Sequence, residues 1–366
     1  MRPESESELA EIVAGLNEPV RVVGGGTRGV TGPDRMLSTE GLRGITLYEP
    51  GALTLVAQAG TPLAEIEAAL EAEGQQLAFE PMDHRALLGS SAAPTIGGVV
   101  AANVSGPRRI QAGACRDFLL GVRFVDGQGQ IIKNGGRVMK NVTGYDLVKL
   151  MAGSWGTLGV LTEVSLKVLP KPEASATLAV PAKDAATAVR ILSEALKSPF
   201  EVTGAAYDPQ QRRALIRIEG FAESVSYRTV RLQELLAQFG AVDPVEPSDA
   251  LWQAIRDAAD LADTPGDVWR ISVKPGDAPE IAARAEADRT LFDWGGGLIW
   301  TLVPAGTDLR ARFGAFSGHA TLVRAGADTL ARLGRFQPEP QGIAALTQGI
   351  RQKFDPRGVF NPGLMG

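Results

Sequence analysis

An α+β chain of two domains is what the sequence predicts, on three observations. The glycines of the first half gather in a few loops between short strands and helices. A clean strand ends at Pro170-Lys171-Pro172, and beyond it the order β-α-β-β occurs twice. Such units imply an antiparallel sheet with helices on one side. The 366 residues suit two domains, and 44% apolar residues are enough to build a core for each.

In order, the chain opens with a short amphipathic helix, Glu8 to Gly15, then strand Val20 to Val23 and a glycine run. Strands follow at Gly44 to Tyr48 and Leu53 to Gln58. The next helix has Thr61 as its expected cap, Pro62 at its first position, Leu63, Ile66 and Leu70 on one stripe, and Gly74 as its stop. Asp126-Gly127-Gln128-Gly129 separates Leu120–Val125 from Gln130–Lys133 and reads as a hairpin. Strand Val160 to Leu169 alternates up to the proline pair, so residues 1–172 form the first expected domain. The second, 173–340, contains a first pass of strand Thr177–Val180, helix Asp184–Lys197, strands Gly204–Tyr207 and Arg213–Ile218, and helix Ser224–Gln238. Its second pass is strand Val268–Lys274, helix Ala278–Ala287, and strands Thr290–Trp294 and Leu298–Val303. A tail of turn formers, 341–366, is expected to return to the first domain.

Composition excludes several functions. With 37 basic against 42 acidic residues, a net charge of −5 and no basic stripe, the chain is not built for nucleic acid. No apolar run approaches a membrane span and the N-terminus is acidic, so a cytoplasmic protein is expected, with any membrane association coming through partner subunits. One cysteine, Cys115, excludes an internal disulfide and a cysteine-ligated cluster, and two histidines, His84 and His319, argue against a metal site.

Glycine is the positive signal, at 43 residues. Gly24-Gly25-Gly26-Thr27-Arg28-Gly29 satisfies the dinucleotide fingerprint G-x-G-x-x-G, and Glu49 stands 20 residues after Gly29. That fingerprint must open into an amphipathic helix, yet Val30-Thr31-Gly32-Pro33-Asp34 has no apolar period. What survives is either a plain tight turn or a strand-loop-strand nest whose amides converge on an anion. Thr95-Ile96-Gly97-Gly98 reads as a capped helix start whose glycines serve close packing or a ligand, and Gly153 to Val160 is a third such loop. Three amide-rich loops suit one long anionic ligand, such as a flavin dinucleotide.

Together these residues resemble the FAD-binding domain of the vanillyl-alcohol oxidase and p-cresol methylhydroxylase type. The resemblance runs through Val20 to Thr27, Gly60-Thr61-Pro62-Leu63, Thr95 to Gly98, Gly144-Tyr145-Asp146-Leu147 and Gly156 to Glu163, with Asn361-Pro362-Gly363 at the end. More narrowly, Lys140 to Leu150 and the overall length are similar to the FAD-binding small subunits of bacterial glycolate oxidases. The resemblance implies a two-subdomain FAD domain with a cap domain behind it. Gly24, Gly25, Gly26, Thr27 and Arg28 would bind the pyrophosphate, as would Thr95, Gly97 and Gly98. Pro81, Asn103, Ser105 and Gly106 would line the flavin side. Gly156, Thr157, Gly159 and Val160 would reach the adenosine and ribitol portions, and Asn361 the isoalloxazine. Relatives with covalent flavin place a histidine in the first loop, where Thr27 and Arg28 stand here, so a non-covalent FAD is implied.

The family's larger members carry His-x-Gly-Asp-Gly-Asn-x-x-His; this chain has only Ser317-Gly318-His319-Ala320. No metal site is therefore expected, and no catalytic residue is assigned. The implied activity is hydride transfer from a small 2-hydroxy acid such as glycolate to FAD, with electrons passing to a second flavoprotein subunit and an iron-sulfur subunit. Two alternatives stay open. One is a stand-alone dehydrogenase in which an arginine such as Arg270, Arg310 or Arg324 clamps the carboxylate; the other is a catalytically silent assembly subunit.

Overall fold

A computed structural model describes residues 1–136, 144–246 and 248–365. The chain divides into two compact units, one made of Met1–Ser105, Ala114–Lys171 and Pro338–Gly366, the other of Gly106–Gly113 and Pro172–Gln337. The short segment Gly106–Gly113, expected in the first domain, thus belongs to the second unit.

In the first unit, helix α1 (Glu6–Ala14) starts at Ser5, whose hydroxyl accepts the Glu8 amide. Its apolar face, Leu9 and Val13, packs with Leu16, Val20, Leu37 and Phe360 in a closed cluster. Strands β1 (Arg21–Val23) and β2 (Met36–Ser38) pair in parallel, on either side of the glycine loop. The loop therefore leads to a strand and not to a helix, which removes the Rossmann geometry. Beyond it, β3 (Ile45–Glu49) and β4 (Thr54–Gln58) enter a five-stranded antiparallel sheet. Helix α2 (Leu63–Ala72) buries Leu63, Ile66 and Leu70, as their spacing predicts. Thr61 does not cap it. Its hydroxyl donates to the Gln58 carbonyl at 2.7 Å and accepts the Gly44 amide at 2.9 Å, and Pro62 occupies the cap position.

Helix α3 (Ile96–Ala101) begins with the Thr95 hydroxyl accepting the Gly98 amide. Strands β5 (Leu119–Val125) and β6 (Ile131–Gly135) form the expected hairpin, its turn held by Asp126, whose carboxylate accepts the amides of Gln128 and Gln130. Short helix α4 (Leu147–Met151) precedes β7 (Val160–Lys167), which lies between β4 and β5, completing the order β3-β4-β7-β5-β6. Residues 140–143 of the motif quoted above lie outside the described residues. The tail contains a helix that the turn formers did not announce, Gln341–Phe354.

The second unit is one eight-stranded antiparallel sheet. Its strands are β8 (Ala174–Pro181), β9 (Val202–Asp208), β10 (Arg213–Gly220), β11 (Asp243–Pro244), β12 (Asp267–Val273), β13 (Arg289–Asp293), β14 (Leu298–Val303) and β15 (Gly318–Arg324), in the order β11-β8-β10-β9-β13-β14-β12-β15. Helices α5 (Ala185–Lys197), α6 (Ala222–Leu236), α8 (Ala278–Ala285) and α9 (Leu309–Phe313) place Ile191, Leu192, Leu232, Ile281 and Phe313 in one cluster with Leu178, Ile216, Trp269 and Ile299 of the sheet. Helix α7 (Ser248–Arg256) sets Trp252 against Thr177 and Arg217, whose positions alternate with those facing that cluster. Edge strand β15 pairs with β12 in register, Ser272 opposite His319 and Arg270 opposite Thr321.

Candidate cofactor site

The first unit contains a cavity of about 410 Å³, within the usual range of ligand pockets. Its walls are largely backbone: Arg21 to Arg28 from β1 and the glycine loop, Ser38 to Glu40 after β2, Gly97 to Ala102 of α3, and Ser154 to Gly159 before β7.

Close packing dictates most of the glycines. A Cβ on Gly24 would stand 2.1 Å from the Thr95 hydroxyl, and one on Gly25 only 1.7 Å from the Ala93 carbonyl oxygen. Gly97 lies against Ala59, whose Cβ would be 2.6 Å from any side chain there. These residues let the loops meet. Gly26 is different: nothing surrounds its missing side chain, but its φ of +70° demands a glycine.

Arg28 is the decisive side chain. It is 8% exposed, lines the cavity, and its Nε and Nη2 have no hydrogen-bond partner. Burial lowers its pKa to about 10, so it stays charged at neutral pH. The neighbouring Cys115 thiol offers no counter-charge, because burial pushes it up to about 12. A buried guanidinium with unused donors is costly unless an anion completes it. A diphosphate does so with charge-assisted bonds, so these residues fit a dinucleotide.

Of the expected binding residues, the cavity brings together Gly24, Gly25, Gly26, Thr27, Arg28, Gly97, Gly98, Gly156 and Gly159. Thr95 touches it from behind through Gly24. Asn361 is 2% exposed and holds two walls in place: Oδ1 accepts the Val22 amide and Nδ2 donates to the Trp155 carbonyl, each at 2.8 Å. In this structure the side chain, expected at an isoalloxazine ring, ties β1 to the loop before β7. Pro81, Asn103, Ser105, Gly106, Thr157 and Val160 are outside the cavity lining. Asn103 accepts the Arg116 amide, Ser105 the Cys115 amide, Thr157 bonds Ser154, and the Gly106 carbonyl accepts the Trp294 indole N–H. Sequence reasoning missed Met36, Ser38, Thr39, Glu40 and Trp155 on the lining. Parallel pairing of β2 with β1 brings the first four there, and three residues with no alternation gave that strand no signal.

Comparison with known proteins follows the same line. Residues 1–135 match the family model described as FAD binding domain. Glycolate oxidase subunit GlcE of Escherichia coli (strain K12) is 40% identical over 329 residues, 88% of this chain and 85% of that protein. The chain belongs to the FAD-binding oxidoreductase family that includes GlcE. GlcD, another glycolate oxidase subunit, from Bacillus subtilis (strain 168), is 32% identical over 53% of this chain but only 39% of its own length. A D-lactate dehydrogenase of Anaerostipes hadrus is 35% identical over 48% of this chain and 37% of its own. Among solved structures, an alkyldihydroxyacetonephosphate synthase has a TM-score of 0.72 at 17% identity, covering 99% of this chain and 76% of that one. p-Cresol methylhydroxylase also scores 0.72, at 14% identity, over 99% and 87% of the two chains. The fold is therefore of the p-cresol methylhydroxylase type, and the cofactor of this GlcE relative is FAD.

Of the described residues, no helix is long and apolar enough to cross a membrane. The three arginines named as carboxylate clamps divide. Arg310 donates to the carbonyls of Ala320, Leu333 and Arg335, and Arg324 to those of Ala262 and Thr264, so both are taken up by the fold. The Arg270 guanidinium lies over the Trp294 ring, 5.0 Å from its centroid.

Proposed function

We propose that this chain is the FAD-binding subunit of a glycolate oxidase-type complex, oxidising a 2-hydroxy acid and delivering electrons to a partner subunit. The observation that carries the reading is the 40% identity to GlcE along 88% of the chain, joined to an unpaired buried arginine at the glycine-loop cavity. In this reading Arg28 and the amides of Gly24 to Thr27 hold the diphosphate, with Gly98 beside them, while Gly156, Gly159 and Trp155 border the remainder of the coenzyme. Bound FAD supplies the hydride acceptor. The chain's own residues orient it and exclude water from the diphosphate. The first loop, which offers Thr27 and Arg28, and Cys115, whose buried thiol holds its proton, support a non-covalent attachment.

The test is an absorbance spectrum of the purified chain under anaerobic conditions, before and after glycolate or D-lactate. A yellow protein whose flavin bleaches, and whose colour is released by acid precipitation, is the expected result. Absence of flavin after native purification would leave an assembly subunit. Colour that no hydroxy acid bleaches would remove the chain's own oxidation step.

A further inference from the structure

The tail helix, Gln341–Phe354, has fourteen residues and buries none of them. Ile343, Leu346 and Ile350 follow at i, i+3 and i+7, so they form one stripe, and they are 50%, 68% and 39% exposed. A second row lies beside it, Gly342, Ala345 and Gly349 at the same spacing. The chain itself has no use for those two glycines. Nothing stands within 4 Å of a Cβ built on either, and neither has a positive φ. Glycine lowers helix propensity more than any residue but proline, and a helix of this length is marginal in water without a packed face. The sequence thus keeps an apolar ridge with a shallow groove along it, although this weakens the isolated helix. Such relief is what a second helix packs into.

The helix is tied down at its C-terminal end. The Phe354 ring lies 6.0 Å from that of Phe124, the Asp355 carboxylate accepts the amides of Val359 and Phe360, and Arg357 donates to the carbonyls of Val13, Leu16 and Gly127. The stripe is therefore presented by a fixed element and needs little ordering on contact. Charge says what can cover it. The chain carries −5 overall, yet this helix has no carboxylate, has Arg351 and Lys353 in its last turn, and starts at Pro340 without a side-chain cap. Glu339 and Asp355 of the same chain bear on Arg351, while Lys353 is exposed. A second copy of this chain is a poor cover. An antiparallel pair would set Lys353 against the other copy's uncapped first turn, where the amide dipoles are positive, and a parallel pair would set Lys353 beside Lys353. An apolar helix edged by Asp or Glu satisfies both positive ends.

We propose that the Ile343, Leu346 and Ile350 stripe, with the groove beside it, is the docking surface for an amphipathic helix of the electron-accepting partner subunit, whose edging carboxylates meet Lys353 and the uncapped first turn. The choice of partner rests on the complex proposed above.

The experiment produces the tagged full-length chain together with the second flavoprotein subunit and the iron-sulfur subunit of that complex, and measures their association by capture at graded concentrations. Hydrogen exchange of the helix amides should slow about tenfold or more in the complex relative to the isolated chain. Leu346→Glu should weaken assembly about tenfold or more and Lys353→Glu several-fold, the latter chiefly at low salt, while Leu346→Met and Lys353→Arg stay near wild type. Gly349→Leu separates docking from folding. Leucine is the better helix former and has open space there, so exchange in the isolated chain should slow, yet assembly should weaken about tenfold because the groove is filled. None of these residues lines the cofactor cavity, and each isolated variant should keep the wild-type flavin content. Equal assembly by a folded Leu346→Glu, or unchanged exchange in the complex, would overturn the docking surface and leave the complex reading in place. Leu346-dependent dimers of the isolated chain would overturn it in favour of a second copy. A wild-type chain that captures neither subunit would overturn the complex reading, and this occupant with it.

Discussion

Arg28 shows how a single residue separates a ligand role from a structural one. Its pKa, lowered by burial to about 10, means that the folded chain without cofactor disfavours the charged guanidinium. For a base shifted down, that cost is fully present below the folded value and is relieved as pH rises through it. FAD-free protein should therefore gain stability at this residue as pH rises through about 10. Arg28→Met removes the cost, so it is expected to raise the melting temperature of the FAD-free protein while lowering FAD affinity at least tenfold. A melting temperature that falls in step with affinity would make Arg28 a structural residue. Gly25 teaches the opposite lesson. Its place in the motif was legible, but a carboxylate introduced there would strike the Ala93 carbonyl before it met any phosphate, so Gly25→Asp reports packing and not ligand repulsion. Residue types in a motif show that a loop approaches something closely. They do not show what.

Among the elements, those with strong local signals were readable: α2 from its apolar stripe, α5 from Asp184 and its buried Val189, Ile191 and Leu192, the hairpin from Asp126, and the antiparallel sheet from repeated β-α-β-β order. Elements defined by partners far along the chain were not. Strand β2 is three residues long and exists through its register with β1; edge strand β15 exists through β12. The helix Gln341–Phe354 carries Ile343, Leu346 and Ile350 at helical spacing but leaves all three exposed, and the turn formers around it masked that stripe. Asn361 is the sharpest case, since the resemblance marked the residue but not its task of tying the end of β1 to the loop before β7 across 339 positions of sequence. Asn361→Ala removes the acceptor of the Val22 amide and a donor to the Trp155 carbonyl. The expected loss is about 2 kcal/mol, a drop of roughly 4–8 °C in melting temperature, together with weaker FAD retention as the two walls separate. Unchanged melting with normal flavin content would show that other contacts hold those walls.

For the whole molecule, composition restricts how electrons can leave. One cysteine, buried and protonated, leaves no place for a cysteine-ligated cluster in this chain. One FAD site accounts for the glycine loops, and the second unit offers cationic and aromatic groups with no further glycine-loop cradle of that kind among the described residues. The chain should then store two electrons and no more. An anaerobic titration of the isolated protein with a two-electron reductant is expected to end at one equivalent per chain, with no absorbance change other than that of the flavin. The reduced protein should stay reduced until an acceptor is supplied, and turnover with glycolate should depend on that acceptor. A second equivalent consumed, or steady turnover without an added acceptor under anaerobic conditions, would mean that another redox group resides in this chain and would break the division of labour proposed between it and a partner subunit.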